Sequence, residues 1–207
     1  LIMIDDESNA ALTELFGFGA IHVANDPDQL GYRFNVGLTA AMEMQWDYLM
    51  QLGSDDLLND RAIELLDEAI DRGDVMAGFS RIFFYNIHTK KAKAFSNMWV
   101  FGAGRLIRRD NIEWCIEHHG SVWPDEIAHG LDRASEDRLM DCPYNEVRPL
   151  DRDERWPLVV DLKDGSNIHG FEELEYGEWP NGVKVEKVRD AEWIRFLRGC
   201  PEVSLLP

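Results

Sequence analysis

The sequence predicts an α/β fold in which a mixed, mainly parallel sheet is flanked by helices. Three observations support this prediction. Short apolar strands alternate with amphipathic helices over the first 75 residues, acidic turns follow two of those strands, and a stretch rich in β-forming residues begins after Val75. Strands that alternate with helices form parallel sheets covered on both faces. At 207 residues and 45% hydrophobic content, the chain can bury one sizeable core.

Apolar runs and the residues that interrupt them define the elements of the first third. They predict, in order, a strand at 1–4, a helix at 9–16, a strand at 21–24, a helix at 31–44, a strand at 48–52 and a helix at 60–71. Asp60 is the expected N-cap of the last helix, and its inward face is expected to hold Ile63, Leu66, Ala69 and Ile70. Because the chain opens directly on an apolar strand, without an initiator methionine, we expect that its start is missing.

The pattern changes after Val75. Residues 76–87 are rich in β-branched and aromatic side chains, and a turn at 88–91 leads to a second strand at 92–95, which predicts an antiparallel hairpin. Further elements are expected as a strand at 105–108, helices at 111–118 and 131–141, a strand at 158–162 and a helix at 190–199. A charged run at 151–155 resembles a linker. We therefore expect a domain at 1–150 and a small C-terminal extension at 151–207 that packs on it.

Charge and cysteine content restrict the partners and the setting. The 39 acidic and 21 basic residues give a formal charge of −18, which repels phosphate backbones and makes nucleic acid an unlikely partner. No run approaches the roughly 18 apolar residues that cross a bilayer, so we expect no membrane span. Cys115, Cys142 and Cys200 lack paired metal-ligand spacing, which favours reduced thiols and a cytoplasmic location.

Two pairs of acidic residues follow predicted strands. Asp5 and Asp6 follow the first strand, and Asp55 and Asp56 follow the third. Ligands of parallel sheets bind at the carboxyl ends of the strands, so we expect both pairs in one crevice. Adjacent carboxylates suit Mg²⁺ or Mn²⁺, which takes one or two of them together with phosphate oxygens. The alternative is that each pair only forms a turn or caps a helix.

Three motifs in this order resemble the core of the family 2 glycosyltransferases. They are the turn Ile4-Asp5-Asp6-Glu7-Ser8, the helix opening with Arg33 and Asn35, and the strand end Leu52-Gly53-Ser54-Asp55-Asp56. The resemblance covers roughly residues 1–140. It implies a GT-A fold, which is Rossmann-related, a nucleotide-diphosphate sugar donor and a Mn²⁺ or Mg²⁺ cofactor. The sugar would pass, with inversion, to a hydroxyl of a glycan, lipid or protein acceptor.

The resemblance also implies roles for individual residues. Asp5 or Asp6 would accept a hydrogen bond from the nucleotide base, and Arg33 and Asn35 would line the nucleotide side of the crevice. Asp55 and Asp56 would bind the metal, with Asp55 also close to the nucleotide. The chain departs from the family at two points: Gly53 stands where the first acid of the metal motif usually lies, and the opening strand and helix do not precede Asp5.

Transfer with inversion requires a carboxylate that takes the proton of the attacking hydroxyl. The family places this base in a Glu-Asp pair, and here the candidates are Asp132, Glu136 and Asp137. The sequence does not choose among them, and each is also compatible with plain surface charge. Other side chains that could bind a metal or stack on a sugar, although structural roles are favoured for them, are His118, His119, His129, Trp99, Trp114 and Trp123.

Two other functions compete with glycosyl transfer. Gly53 and the missing opening strand motivate the first, a non-catalytic module that binds a nucleotide sugar or serves a structural role while it keeps the GT-A fold. The second is a nucleotidyltransferase, which would make the nucleotide sugar from a triphosphate. The sequence contains no glycine- and lysine-rich phosphate loop of the kind that this reaction uses.

Overall fold

The computed structural model describes residues 2–5, 21–24, 29–53, 55–126, 131–163, 177–178 and 184–188. Within them the fold is mixed α/β. The helices are α1 (Leu30–Met42), α2 (Asp60–Arg72), α3 (Arg109–His119) and α4 (Leu131–Met140). The strands are β1 (Ile2–Asp5), β2 (Ile21–Ala24), β3 (Tyr48–Gln51), β4 (Asp56–Leu58), β5 (Met76–Gly78), β6 (Arg81–Asn86), β7 (Lys91–Ser96), β8 (Arg105–Arg108), β9 (Val147–Pro149), β10 (Val159–Lys163), β11 (Gly177–Glu178) and β12 (Lys184–Lys187).

The described strands form three sheets. Their orders are β1-β2, β3-β8-β5-β9 and β11-β12-β7-β6-β10-β4. Only β1-β2, β5-β9 and β6-β10 are parallel pairs, whereas the other six pairs are antiparallel. The mixed α/β class is thus confirmed, but the expectation of a mainly parallel sheet is wrong. The prediction failed because β4, β7 and β8 pair antiparallel with their neighbours. The alternation of strands and helices in the first 75 residues does not reveal these strand directions.

The chain forms two compact units, each built from two separate stretches. Unit 1 combines Leu1–Asp47 with Arg109–Pro143, and unit 2 combines Tyr48–Arg108 with Tyr144–Pro207. Unit 1 therefore holds β1, β2, α1, α3 and α4, and unit 2 holds α2 and the remaining strands. Strand β10 falls within residues 151–207, the expected C-terminal extension, and lies inside the six-stranded sheet between β4 and β6.

Most predicted elements of the described ranges are confirmed to within a few residues. The hairpin is formed by β6 and β7, which pair antiparallel from Arg81↔Ser96 to Asn86↔Lys91. The helices predicted at 9–16 and 190–199 lie outside the described residues. None of the helices in the described ranges is both long and apolar enough to cross a membrane.

Helix α2 differs from its prediction in two details. Asn59, rather than Asp60, is the N-cap, and its side-chain oxygen accepts a hydrogen bond from the Ala62 amide at 2.9 Å. Ile63 and Ile70, which were expected to face the core, are exposed. The buried stripe consists instead of Ala62, Leu65, Leu66 and Ala69, so the helix is rotated relative to the expected face.

Both faces of the six-stranded sheet are covered in unit 2. Along β6, Ile82 and Phe84 pack in one apolar cluster with α2 and Val159, whereas Phe83 and Tyr85 pack in a second cluster with Val160. This alternation follows from the two-residue period of a strand. By the same period, Asp161 lies on the face of β10 that carries Val159, the face that packs against α2.

Asp151 fixes the entry of β6 in unit 2. Its fully buried carboxylate accepts hydrogen bonds from the Ser80 amide at 3.0 Å, the Ser80 hydroxyl at 2.9 Å and the Arg81 amide at 2.8 Å. Hydrogen bonds to a buried charged acceptor are strong, and their loss leaves buried donors without partners. This contact ties the segment after β9 to the strand that pairs with β10.

We expect Asp151→Ala to lower the free energy of unfolding by about 3 kcal/mol, because three donors would lose their acceptor. Urea denaturation followed by tryptophan fluorescence measures the change. Asp153→Ala is the matched control, since Asp153 is exposed and should change stability by less than about 0.5 kcal/mol. Equal effects of the two substitutions would contradict the anchoring role of Asp151.

Candidate functional site

The segment after β3 turns sharply and brings two carboxylates back over its own backbone. The Asp56 amide donates to the Gly53 carbonyl at 3.2 Å, and the Gly53 amide donates to Asp56 Oδ2 at 2.7 Å. Asp55 lies in the turn and Asp56 begins β4, and both side chains are half-buried. The turn therefore holds the Asp56 carboxylate through a backbone hydrogen bond from Gly53, and it places the Asp55 carboxylate beside it.

Pairing of β4 with β10 adds a third carboxylate. Asp56 lies opposite Asp161 in the antiparallel register, and the Leu162 amide donates to the Asp55 carbonyl at 2.8 Å. One oxygen from each of Asp55, Asp56 and Asp161 lies within 4.8 Å of the others. We refer to these three side chains as the acidic triad. All three side chains offer carboxylate oxygens, which are the ligand atoms that hard divalent cations prefer.

Asp161 and its neighbour Lys163 are the most buried members of this region. Lys163 Nζ donates to Asp161 Oδ2 at 2.7 Å, and the two side chains are 6% and 16% exposed, respectively. Burial raises the pKa of Asp161 to about 8, and the charges of Asp56 and Asp55 act in the same direction, while Lys163 opposes the shift. Asp161 Oδ1 is buried and has no hydrogen-bond partner in the described part of the chain.

Gly53 has no side chain, and the carboxylates of Asp55 and Asp56 lie in the space that a side chain would take. A Cβ atom at this position would lie 2.7 Å from Asp56 Oδ2 and 2.8 Å from Asp55 Oδ1. Any side chain at position 53 would thus push at least one carboxylate from its present place. Gly53 thus leaves room for the observed positions of the Asp55 and Asp56 carboxylates.

Arg33 and Asn35, expected on the nucleotide side of the crevice, lie in α1 of unit 1. Asn35 Nδ2 donates to the Trp123 carbonyl at 2.6 Å and to Asp125 Oδ1 at 2.7 Å, and Asn35 Oδ1 accepts from the Trp123 amide at 3.3 Å. Asn35 thus holds the loop that follows α3. Arg33 is half-buried on the same helix.

The three candidate bases lie on α4, also in unit 1, and differ in environment. Asp132 is half-buried in the first turn, Glu136 is 5% exposed, and Asp137 is exposed and pairs with Arg133 Nη2 at 2.8 Å. The three carboxylates therefore differ in exposure: Asp132 is half-buried, Glu136 is buried and Asp137 is exposed. Asp55 and Asp56, in contrast, belong to unit 2.

The remaining candidates are mostly occupied by packing or lie outside the described residues. Asp6 and His129 lie outside them, and only the backbone of Asp5 is described, at the end of β1. His118 stacks on Trp114 with the ring centres 4.1 Å apart, and Trp123 is buried against Phe34 at 5.1 Å. The packing of these two tryptophans fits the structural roles favoured for them.

Asp161 and Lys163 are the residues that sequence reasoning missed. The predicted strand at 158–162 contains Asp161 between Val160 and Leu162, and a charged residue inside an apolar strand is a signal that a partner or ligand lies nearby. That signal identifies Asp161 as unusual. It does not identify Asp55 and Asp56 as its neighbours, since their proximity depends on the pairing of β4 with β10.

We expect Asp161→Asn to stabilise the metal-free protein increasingly as the pH rises from about 5 to 8.5. The folded protein keeps the proton on Asp161 up to a pKa of about 8, whereas the unfolded chain releases it near 3.9. Stability from this group is therefore lost as the pH rises through that window, and an asparagine avoids the loss. The melting temperature in EDTA should rise by roughly 2–4 °C per kcal/mol gained.

The exposed residue Asp67 on α2 supplies the control for this experiment. Asp67→Asn should shift the melting temperature little, and by the same amount at each pH. A gain for Asp161→Asn that is equally large at pH 5 and at pH 8.5 would show that the carboxyl of Asp161 does not titrate in this range.

No protein-family model matches the chain, and no curated protein matches it either.

Proposed function

We propose that this chain is a metal-dependent glycosyltransferase of the GT-A type, which moves a sugar from a nucleotide-diphosphate donor to an acceptor hydroxyl with inversion. The observation that carries the proposal is the acidic triad at the turn after β3, the position where the family 2 resemblance expects the metal motif. Acceptors of the glycan, lipid and protein classes all offer a suitable hydroxyl.

Asp161 fills the role that Gly53 leaves open. The family motif supplies two acids from one strand end, and here the first of them is replaced by glycine. In space, Asp161 approaches from β10 and brings the number of converging carboxylates to three. The departure at Gly53 thus does not deprive the site of ligands, because a neighbouring strand provides one.

The residues present suit Mg²⁺ or Mn²⁺. The triad offers only carboxylate oxygens, and Asp161 Oδ1 is a buried acceptor that lacks a hydrogen-bond partner in the described residues. A bound cation would neutralise the negative charge that develops on the leaving diphosphate. Asp55, Asp56 and Asp161 would hold that cation, and the Gly53 amide would keep Asp56 oriented.

Asp132 is the carboxylate that we favour as the base. It lies in the first turn of α4 and is partly accessible, whereas Glu136 is buried and Asp137 is held by Arg133. A general base must reach the proton that it abstracts, which requires access to the acceptor. Asp132 is more accessible than Glu136, whereas Asp137 is exposed and forms an ion pair with Arg133.

The proposed setting is the cytoplasm. Cys115 and Cys142 are both buried free thiols, and burial raises the pKa of Cys115 to about 11. A thiol with such a pKa stays protonated and unreactive at neutral pH. Reduced, unpaired cysteines of this kind fit a reducing compartment.

We expect the protein to bind a uridine- or guanosine-diphosphate sugar only when Mn²⁺ is present. The double substitution Asp55→Asn with Asp56→Asn should weaken this binding by more than about 100-fold, since changes to groups that only support metal ligands already cost 10–100-fold. Isothermal titration calorimetry with and without EDTA measures the effect. Asp67→Asn removes one charge at an exposed site of unit 2 and should leave the affinity unchanged.

Two outcomes of this titration separate the competing functions. Binding to neither nucleotide sugar in the presence of Mn²⁺ would refute the proposal. Metal-dependent binding that is lost in the double variant, with no sugar transfer to water or to any acceptor tested, would favour the non-catalytic binding module instead.

We expect Asp132→Asn to lower kcat for sugar transfer by roughly 100- to 10,000-fold, with little change in the affinity for the donor, because it removes the proton acceptor and leaves the triad intact. Asp137→Asn is the matched control on the same helix and should keep kcat within a few-fold. If Glu136→Gln or Asp137→Asn lowers kcat while Asp132→Asn does not, the base has been assigned to the wrong residue.

A further inference from the structure

Lys163 is a buried cation beside Asp161, at the edge of the acidic triad. Its side chain is 6% exposed, its ammonium lies 2.7 Å from Asp161 Oδ2, and it also lies 4.9 Å from the centre of the Phe84 ring. Burying an ammonium ion costs several kcal/mol unless other groups compensate. The hydrogen bond to Asp161 and the ring face of Phe84 provide part of that compensation.

The sheet register directs Lys163 toward the triad. Asp161 and Lys163 lie two residues apart on β10 and so share one face of the strand. Asp56 lies on one side of Asp161 in the sheet, and Phe84 lies on the other side. The ammonium thus lies on the same face of the sheet as the carboxylates, and it stays in contact with one of them.

We propose that Lys163 is the phosphate-binding residue of this site and holds the diphosphate of the donor beside the cation. The inference rests on the proposed function. A divalent cation alone leaves an excess of negative charge among three carboxylates, which would repel an incoming diphosphate. The charge of Lys163 removes this excess, and its remaining N–H groups are donors of the kind that bind phosphate oxygens.

The alternative is that Lys163 only serves as the counter-ion of Asp161. The two roles differ in what the removal of the ammonium does to each ligand. Loss of a phosphate-binding residue weakens the binding of diphosphate and spares the metal, since a neighbouring positive charge disfavours a second cation. Loss of a structural counter-ion disturbs the position of Asp161 and so weakens the binding of the metal itself.

Lys163→Met in the full chain separates these roles by calorimetry with two probes. The first probe is Mn²⁺ alone, for which the variant should bind as tightly as the wild type or a few-fold more tightly. The second is inorganic pyrophosphate in saturating Mg²⁺, for which affinity should fall roughly tenfold or more, the equivalent of one charged hydrogen bond. Lys184→Met, at an exposed position of β12, is the control and should change neither affinity.

Two further variants keep the test decisive if Lys163→Met does not fold. Lys163→Gln keeps a donor for Asp161 but lacks the charge, and should bind Mn²⁺ normally and pyrophosphate weakly. Lys163→Arg keeps the charge and should retain most of the affinity for pyrophosphate. Unchanged binding of pyrophosphate in Lys163→Gln and Lys163→Met, or a more than tenfold loss of Mn²⁺ affinity in either, would overturn the proposal.

Failure of this inference is distinguishable from failure of the proposed function. If the wild type binds Mn²⁺ and pyrophosphate and the variants at position 163 bind both equally well, only the role of Lys163 is refuted. If the wild type binds no Mn²⁺, the metal site itself is refuted, and the role of Lys163 is refuted with it.

Discussion

The antiparallel pairing of β4 with β10 is the interaction on which the candidate site depends. It sets Asp161 opposite Asp56, and the bond from the Leu162 amide to the Asp55 carbonyl extends the pairing into the turn. Strand β10 is held on its other side by β6, whose entry is fixed by Asp151. A shift of β10 by one residue would turn Asp161 to the opposite face of the sheet and separate it from Asp55 and Asp56. The site is therefore a property of the sheet rather than of the turn alone.

The acidic triad brings three carboxyl groups together, and burial disfavours the charged form of Asp161 among them. Asp161 lies in a partly apolar setting, next to two other carboxylates, and the raised pKa of its carboxyl is the result. Lys163 offsets part of the cost through its hydrogen bond to Asp161. Perturbed carboxyl groups of this kind occur preferentially at functional sites, although structural clusters also produce them.

Local elements were predictable because they depend on neighbouring residues. The hairpin at 81–96 follows from β-branched and aromatic residues on both sides of a turn, and α2 follows from its apolar period. Its buried face was predicted with an error, because a stripe through Ile63 and Ile70 and a stripe through Ala62 and Leu65 both fit the helical period, and only packing decides between them. Strand directions and the approach of Asp161 to Asp56 depend on residues about 100 positions apart, so no local pattern could reveal them.

Gly53 shows why a motif is better judged in space than along the chain. Judged by the sequence alone, a glycine where the family 2 glycosyltransferases carry an acid weakens the resemblance to them. In the fold, the same glycine provides the room in which the carboxylates of Asp55 and Asp56 turn back over the backbone, and its amide orients Asp56. A side chain at position 53 would require at least one of these carboxylates to shift. The arrangement therefore has two contributions. Gly53 leaves room for the carboxylates of Asp55 and Asp56, and β10 adds the third carboxylate, that of Asp161.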